Sequence, residues 1–146
     1  MAKTQYWWLN ARPQWWDLLS FPVGHEESYS LYNDEGNERH VHRYFLEAKV
    51  GDIVIGYVTS AKKRQIPSNQ IVAILRVSAE QDGEEIYFEK TEALKVPVTL
   101  EELRECVKLN NMPHFTSRNT IPQGAFHKLT ESEYDCIMKL IRAKNP

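Results

Sequence analysis

Two apolar runs constrain this chain more than any other feature: DIVIGYVTS from Asp52 to Ser60, and QIVAILRVSAE from Gln70 to Glu80. Both are rich in β-branched residues, which suit a pleated sheet better than a helix. The polar loop Ala61–Asn69, with its proline, joins them as a long hairpin. A QDGE turn with Gly83 at its tip leads to a third run, Glu85–Leu94, which completes a meander. Such a sheet has apolar side chains to bury, so the remaining segments must cover it.

Residues 5–10 read as a short aromatic strand that Pro13 stops, with one helical turn over 14–20. Ser28–Asn33 reads as another strand, followed by the turn NDEGN from Asn33 to Asn37. Val41, Tyr44, Phe45 and Ala48 recur at helical spacing, and Gly51 ends that helix. Thr99 with Glu102, and Thr130 with Glu133, form capping boxes that open two further helices. The first turns Leu100 and Leu103 inward, and the second carries Tyr134, Ile137, Met138 and Ile141 on one face. Ala125–Leu129 is a candidate last strand. The order predicts an α+β fold over residues 1–146 as a single domain, a small curved sheet or barrel flanked by short helices. The sequence stops at RAKNP, where a linker to a further domain would begin.

The composition, 42% hydrophobic and 26% charged, is that of a globular domain. No apolar run approaches the roughly 20 residues of a membrane span, and no signal-peptide pattern opens the chain, so a cytoplasmic location is expected. Cys106 and Cys136 fit no zinc spacing and are too few for a disulfide framework; ordinary thiols are expected. A net charge of −2 argues against gripping nucleic acid by bulk electrostatics. Local basic strips remain, at ERHVHR (Glu38–Arg43) and at Lys62–Arg64.

Catalytic signatures are missing: there is no Gly-rich phosphate loop, nucleophile elbow or His-Glu-x-x-His helix. His40 and His42 are two apart, and on a helix they face different ways, which disfavours a metal site. Glu101, Glu102 and Glu105 read as a solvated helix face. The expectation is a binding domain, not an enzyme, with no cofactor and no metal. The aromatics suggest what is bound. All four tryptophans, Trp7, Trp8, Trp15 and Trp16, fall within ten positions. On a strand Trp7 and Trp8 point to opposite faces, so one fills a core and the other needs a second reason. The plain reading is a Trp-rich core with a surface ring. The functional one is an aromatic pocket that stacks on a flat base. Candidates for the pairing edge of an extruded base are Asn10, Arg12, Asn33 and Gln123.

Three stretches, YWWLNARP, YSLYNDEGNERHVHRYFLEAKVGDIVIGY and PQGAFHKLTESEYDCIM, resemble in the same order the EVE domain of the PUA-like superfamily, over roughly residues 5–145. The likeness is strongest to EVE domains of McrB-type subunits in modification-dependent restriction systems. It implies a strongly curved mixed β-barrel flanked by short helices. It further implies recognition of a modified base in DNA by base flipping, with a C-terminal AAA+ GTPase domain or a nuclease subunit as partner. A looser similarity is to YTH domains, which read methylated adenine in an aromatic cage. It puts a cage position at Tyr32, its polar neighbour at Asn33, and first-strand pocket residues at Asn10, Ala11 and Arg12. The second wall falls near Tyr87 and Phe88. Tyr32 stands where YTH domains carry Trp, and Arg12 where a small polar residue is usual. Methylcytosine, hydroxymethylcytosine and methyladenine therefore all stay open. Trp8, Trp15, Trp16, Tyr57 and Gln123 complete the expected lining; Arg39, Arg43, Lys62, Lys63 and Arg64 are the expected phosphate contacts. The alternatives are an RNA-binding PUA-like module acting on modified tRNA or rRNA, and a protein- or small-ligand-binding module.

Overall fold

The computed structural model describes residues 3–11, 18, 20–32, 35–36, 42–59, 69–103 and 126–146, with the backbone alone at 42 and 43. Six strands make one mixed sheet: β1 (Tyr6–Ala11), β2 (Glu26–Ser30), β3 (Ile53–Val58), β4 (Gln70–Ala79), β5 (Glu85–Thr99) and β6 (Phe126–Leu129). Helix α1 spans His42–Glu47, α2 opens at Leu100 and is described through Leu103, and α3 spans Glu131–Lys144. The strand order is β2-β5-β4-β3-β1-β6, and the sheet curls into a half-barrel. The β3–β4–β5 meander is antiparallel, as the sequence predicts. β1 lies parallel to β3, a pairing that needs the long crossover through β2 and α1.

Both faces of the sheet are covered. On one, Trp7, Leu9 and Ala11 of β1 pack with Val54, Leu75, Val77, Ile86, Phe88, Phe126 and the Phe45 of α1. On the other, Trp8 packs with Ile55, Tyr57, Leu129 and the Ile137 and Ile141 of α3. Trp7 and Trp8 are therefore both fully buried, on opposite faces. The second reason that Trp8 needs is α3. That helix begins at the Thr130 capping box and is held at its far end by ion pairs. Arg142 bonds both oxygens of Glu92, at 2.7 and 2.8 Å, and Lys144 bonds Glu102 and, at 2.7 Å, the Pro97 carbonyl. The Thr99–Glu102 box is formed as well.

One irregularity lets β5 serve both faces. Leu75 pairs with Lys90 and Ile74 with Glu92, so Thr91 is an extra residue in β5. An unpaired residue inverts the alternation of side chains beyond it. Ile86 and Phe88 accordingly join the α1 face, while Leu94 and Val98 join the α3 face. The Thr91 hydroxyl donates to the Ile74 carbonyl at 3.0 Å and steadies the bulge.

The parallel pairing starts at Asp52. Its carboxylate is 3% exposed and accepts four bonds: from the Gln5 main chain at 3.1 Å, the Gln5 amide at 2.9 Å, the Trp7 indole at 3.0 Å and the Lys49 main chain at 2.9 Å. Gly51 at φ +93° makes the preceding turn, a conformation that side chains with a Cβ rarely adopt. Cys136 corrects the thiol expectation: it is disulfide-bonded, on the half-buried side of α3. Two cysteines suffice for one such bond, and Cys106 lies outside the described residues.

Asp52→Ala leaves the buried Trp7 indole and two main-chain donors unmet, and is expected to cost about 3–5 kcal/mol in urea unfolding. The neighbouring Arg142 bond holds Glu92, and the Lys144 bond holds Glu102, below the ordinary carboxyl value of 4.5. Lowered acids contribute stability above that value and lose it as pH falls through their folded values. The melting temperature should therefore drop below about pH 4, and a Glu92→Gln, Glu102→Gln variant should show a shallower drop.

Candidate nucleic-acid interface

The alternation of β1 sorts the expected pocket residues. Ala11 turns to the α1 face, where it shares a packed cluster with Phe88 and with half-buried Tyr32. Trp8 turns to the α3 face, and its ring lies 5.1 Å from that of Tyr57. Asn10 follows Trp8 and accepts its indole N–H at 2.7 Å. Tyr87 lies on neither cluster: its hydroxyl donates to Asp82 at 2.8 Å and braces the turn before β5. The Glu85 and Glu84 main-chain N–H groups, then Tyr87, hold Asp82 below the usual carboxyl range, and the bond to Asp82 raises the Tyr87 phenol.

Full burial makes Trp8, Tyr57 and Phe88 interior packing, not open walls. Phe88 is one spoke of an aromatic column built on Phe126, whose ring lies 4.7 Å from Trp7, 5.0 Å from Phe45 and 5.6 Å from Phe88. The exposed edge of this column is where rings become reachable. Phe21, Tyr29, Tyr32 and Tyr44 are partly buried and pack against the core cluster that contains this column, Tyr44 on Trp7 and Tyr29 on Phe45. Tyr32 is held in place by its neighbour: the Ser30 hydroxyl accepts the Tyr32 N–H at 3.1 Å and lies 3.0 Å from its carbonyl.

The α1 face thus brings Ala11, Tyr32 and Phe88 together, and the sheet separates them from Trp8, Asn10 and Tyr57. Arg12, Trp15, Trp16, Asn33, Gln123, Arg39, Lys62, Lys63 and Arg64 lie outside the described residues, as does the side chain of Arg43. Phe21, Tyr29 and Tyr44 were not expected at the site. Tyr44 had the core spacing of α1, and a ring half in the core gives the same signal as one wholly in it. Among the described residues, no His, Cys, Asp and Glu cluster could hold a metal, and no helix is long and apolar enough to cross a membrane.

A curled mixed sheet with short helices on both faces is the PUA-like, EVE type of fold, and solved structures share it along nearly the whole chain. A Rhodopseudomonas palustris protein solved by NMR superposes with a TM-score of 0.70 at 15% identity, over 96% of this chain and 94% of that one. Human THYN1, in complex with 5-methylcytosine containing DNA, superposes with a TM-score of 0.66 at 13% identity, over 94% of this chain and 98% of that one. The DUF55 domain of human thymocyte nuclear protein 1 gives 0.63 at 13% identity, over 93% and 98%. No protein-family model matches the chain, and no curated protein matches it closely.

The division of rings between interior and edge is measurable. Trp8→Ala empties a fully buried site and should cost about 3–5 kcal/mol. Tyr32→Ala removes a half-buried ring and should cost only about 1 kcal/mol by the same urea titration.

Proposed function

We propose that this domain recognises a modified base in DNA, taking it out of the stack against the aromatic edge of the α1 face. Tyr32 is the wall on this reading, Ala11 is buried in the cluster it packs against, and the segments carrying Arg12, Trp15, Trp16, Asn33 and Gln123 complete the pocket. Arg39, Arg43 and Lys62, Lys63 and Arg64 supply phosphate contacts. The module is a binding domain, the cytoplasmic specificity element of a modification-dependent restriction system. Any GTPase or nuclease chemistry belongs to a partner domain or subunit.

The observation that carries the reading is a shared fold: a protein with the same architecture over 94% of this chain is solved with 5-methylcytosine DNA. The half-buried tyrosines packed against the α1-face core give the reading a chemical basis. Extruding a base costs a few kcal/mol, and stacking returns about 1–3 kcal/mol per base. A buried methyl adds about 0.8 kcal/mol, or roughly four-fold in affinity, so larger discrimination requires a close fit. The net charge of −2 leaves few phosphate contacts.

The test is a competition among duplexes that differ in one base, with methylcytosine, hydroxymethylcytosine, methyladenine or no modification, and with matched RNA. A modified duplex should win by at least about four-fold, with a log–log salt slope shallower than about −5. Tyr32→Ala should remove the preference. Equal affinity for plain and modified DNA, or preference for RNA, sinks the proposal.

A further inference from the structure

The α1 face carries a carboxylate at its rim that the core does not need. In β2, Glu27 pairs with Phe88 and Tyr29 with Ile86, and directly opposed residues share a face of the sheet. Phe88, Ile86 and Tyr29 all belong to the α1-face core, so Glu27 stands on that face too, two positions before Tyr29. His25 Nε2 lies 3.1 Å from Glu27 Oε2. A carboxylate only accepts, so the ring nitrogen donates. The other oxygen, Oε1, is met by the Ser28 N–H at a long 3.3 Å. A carboxylate has about four acceptor sites, so capacity remains. Both side chains are 37% exposed, within reach of a ligand.

The histidine is itself placed. Its ring lies 4.7 Å from that of Phe21. The Phe21 carbonyl accepts from the Lys90 ammonium at 2.8 Å, and the Leu18 carbonyl does so at 2.9 Å; Lys90, on β5, is 3% exposed. The Lys90 main chain donates to the His25 carbonyl at 3.0 Å and accepts from Gly24 at 2.8 Å, which extends the β2–β5 ladder through His25. In chain order, Phe21, His25, Glu27 and Tyr29 thus set an oriented carboxylate between two half-buried rings.

An ion pair this exposed adds little to stability. Beside a polyanion, a carboxylate works against affinity. What it does well is discriminate. It accepts from the amino group of cytosine or adenine, and it repels the carbonyl that thymine presents where cytosine has its amino group. Methylation of adenine at N6 puts the methyl on that amino group itself. Methylation of cytosine at C5 leaves both N4–H donors intact.

We propose that Glu27, oriented by His25, is the acceptor that reads the exocyclic amino group of the extruded base, and so selects a C5-modified cytosine over thymine and over methyladenine. The assignment rests on the function proposed above and names its base.

The test uses the full chain and duplexes with methylcytosine, cytosine, thymine, methyladenine or adenine at one position. Each stands opposite an abasic site, so that extrusion breaks no base pair. The wild-type chain should prefer methylcytosine over thymine, which carries the same methyl, by roughly ten-fold. Glu27→Gln keeps the size of the side chain, and its amide can donate to the thymine carbonyl. That variant should melt as the wild type does and keep its preference for methylcytosine over cytosine. Its preference for methylcytosine over thymine should fall to within about two-fold, in part by binding thymine more tightly, a gain that a merely structural role does not produce. If Glu27→Gln does not fold, Glu27→Thr takes its place, with loss of that preference as the readout. Equal wild-type affinity for methylcytosine and thymine, tightest wild-type binding to methyladenine, or an unchanged preference in Glu27→Gln overturns the role of Glu27 and leaves the recognition reading standing. A wild-type chain that prefers neither modified base over its plain form overturns the recognition reading itself.

Discussion

A carboxylate removed from water has to be met by donors, and Asp52 is met by four. They come from the N-terminal arm, from the first tryptophan of β1 and from the turn after α1. The first two are contiguous in the chain, and the third lies more than 40 positions further on. Their convergence on one side chain sets where β1 meets β3, since Gln5 also accepts the Ile53 N–H at 3.1 Å. A parallel pair has no tight turn to fix its register. Here a buried side chain does that work, and a slip by one residue would send Trp7 and Trp8 to the wrong faces. The Val-Gly-Asp triplet in the middle of the chain is thus a folding instruction: glycine for the turn, aspartate for the junction.

What was legible in the sequence was local. The capping boxes at Thr99 and Thr130 span four residues each, and both are formed. The apolar runs became β3, β4 and β5, because β-branched density reports on a strand without reference to its partners. Two things were not local. The first was the coverage of both faces. Trp8 looked like a ring in search of a ligand because nothing in its neighbourhood announces that α3, over 120 positions later, will cover it. The second was the bulge at Thr91, which no alternation pattern within β5 reveals, since only the partner strand shows which residue is extra.

The site was legible in smaller part. A fold likeness pointed to the ends of β1 and β2, and Ala11 and Tyr32 do share the α1 face. Aromatic content alone overcounted the walls: it cannot tell a ring stacked on Phe126 from one at the rim of that stack. It also passed over Lys90, because a lysine in a strand ordinarily reads as a solvent-facing position.

The bulge and the lysine belong to one device. Without the extra residue, Lys90 and Glu92 would have the same parity and face the same side of the sheet. With it, Lys90 turns to the α1 face and reaches the loop carbonyls, while Glu92 turns to the α3 face and receives Arg142. Two oppositely charged residues, two positions apart, thus anchor structure on opposite faces of the sheet: the Leu18 and Phe21 carbonyls on one, α3 on the other. On the proposed function, a pocket that tells a base from the same base with one more methyl needs rigid walls, because the methyl's small gain survives only where the walls cannot relax around its absence.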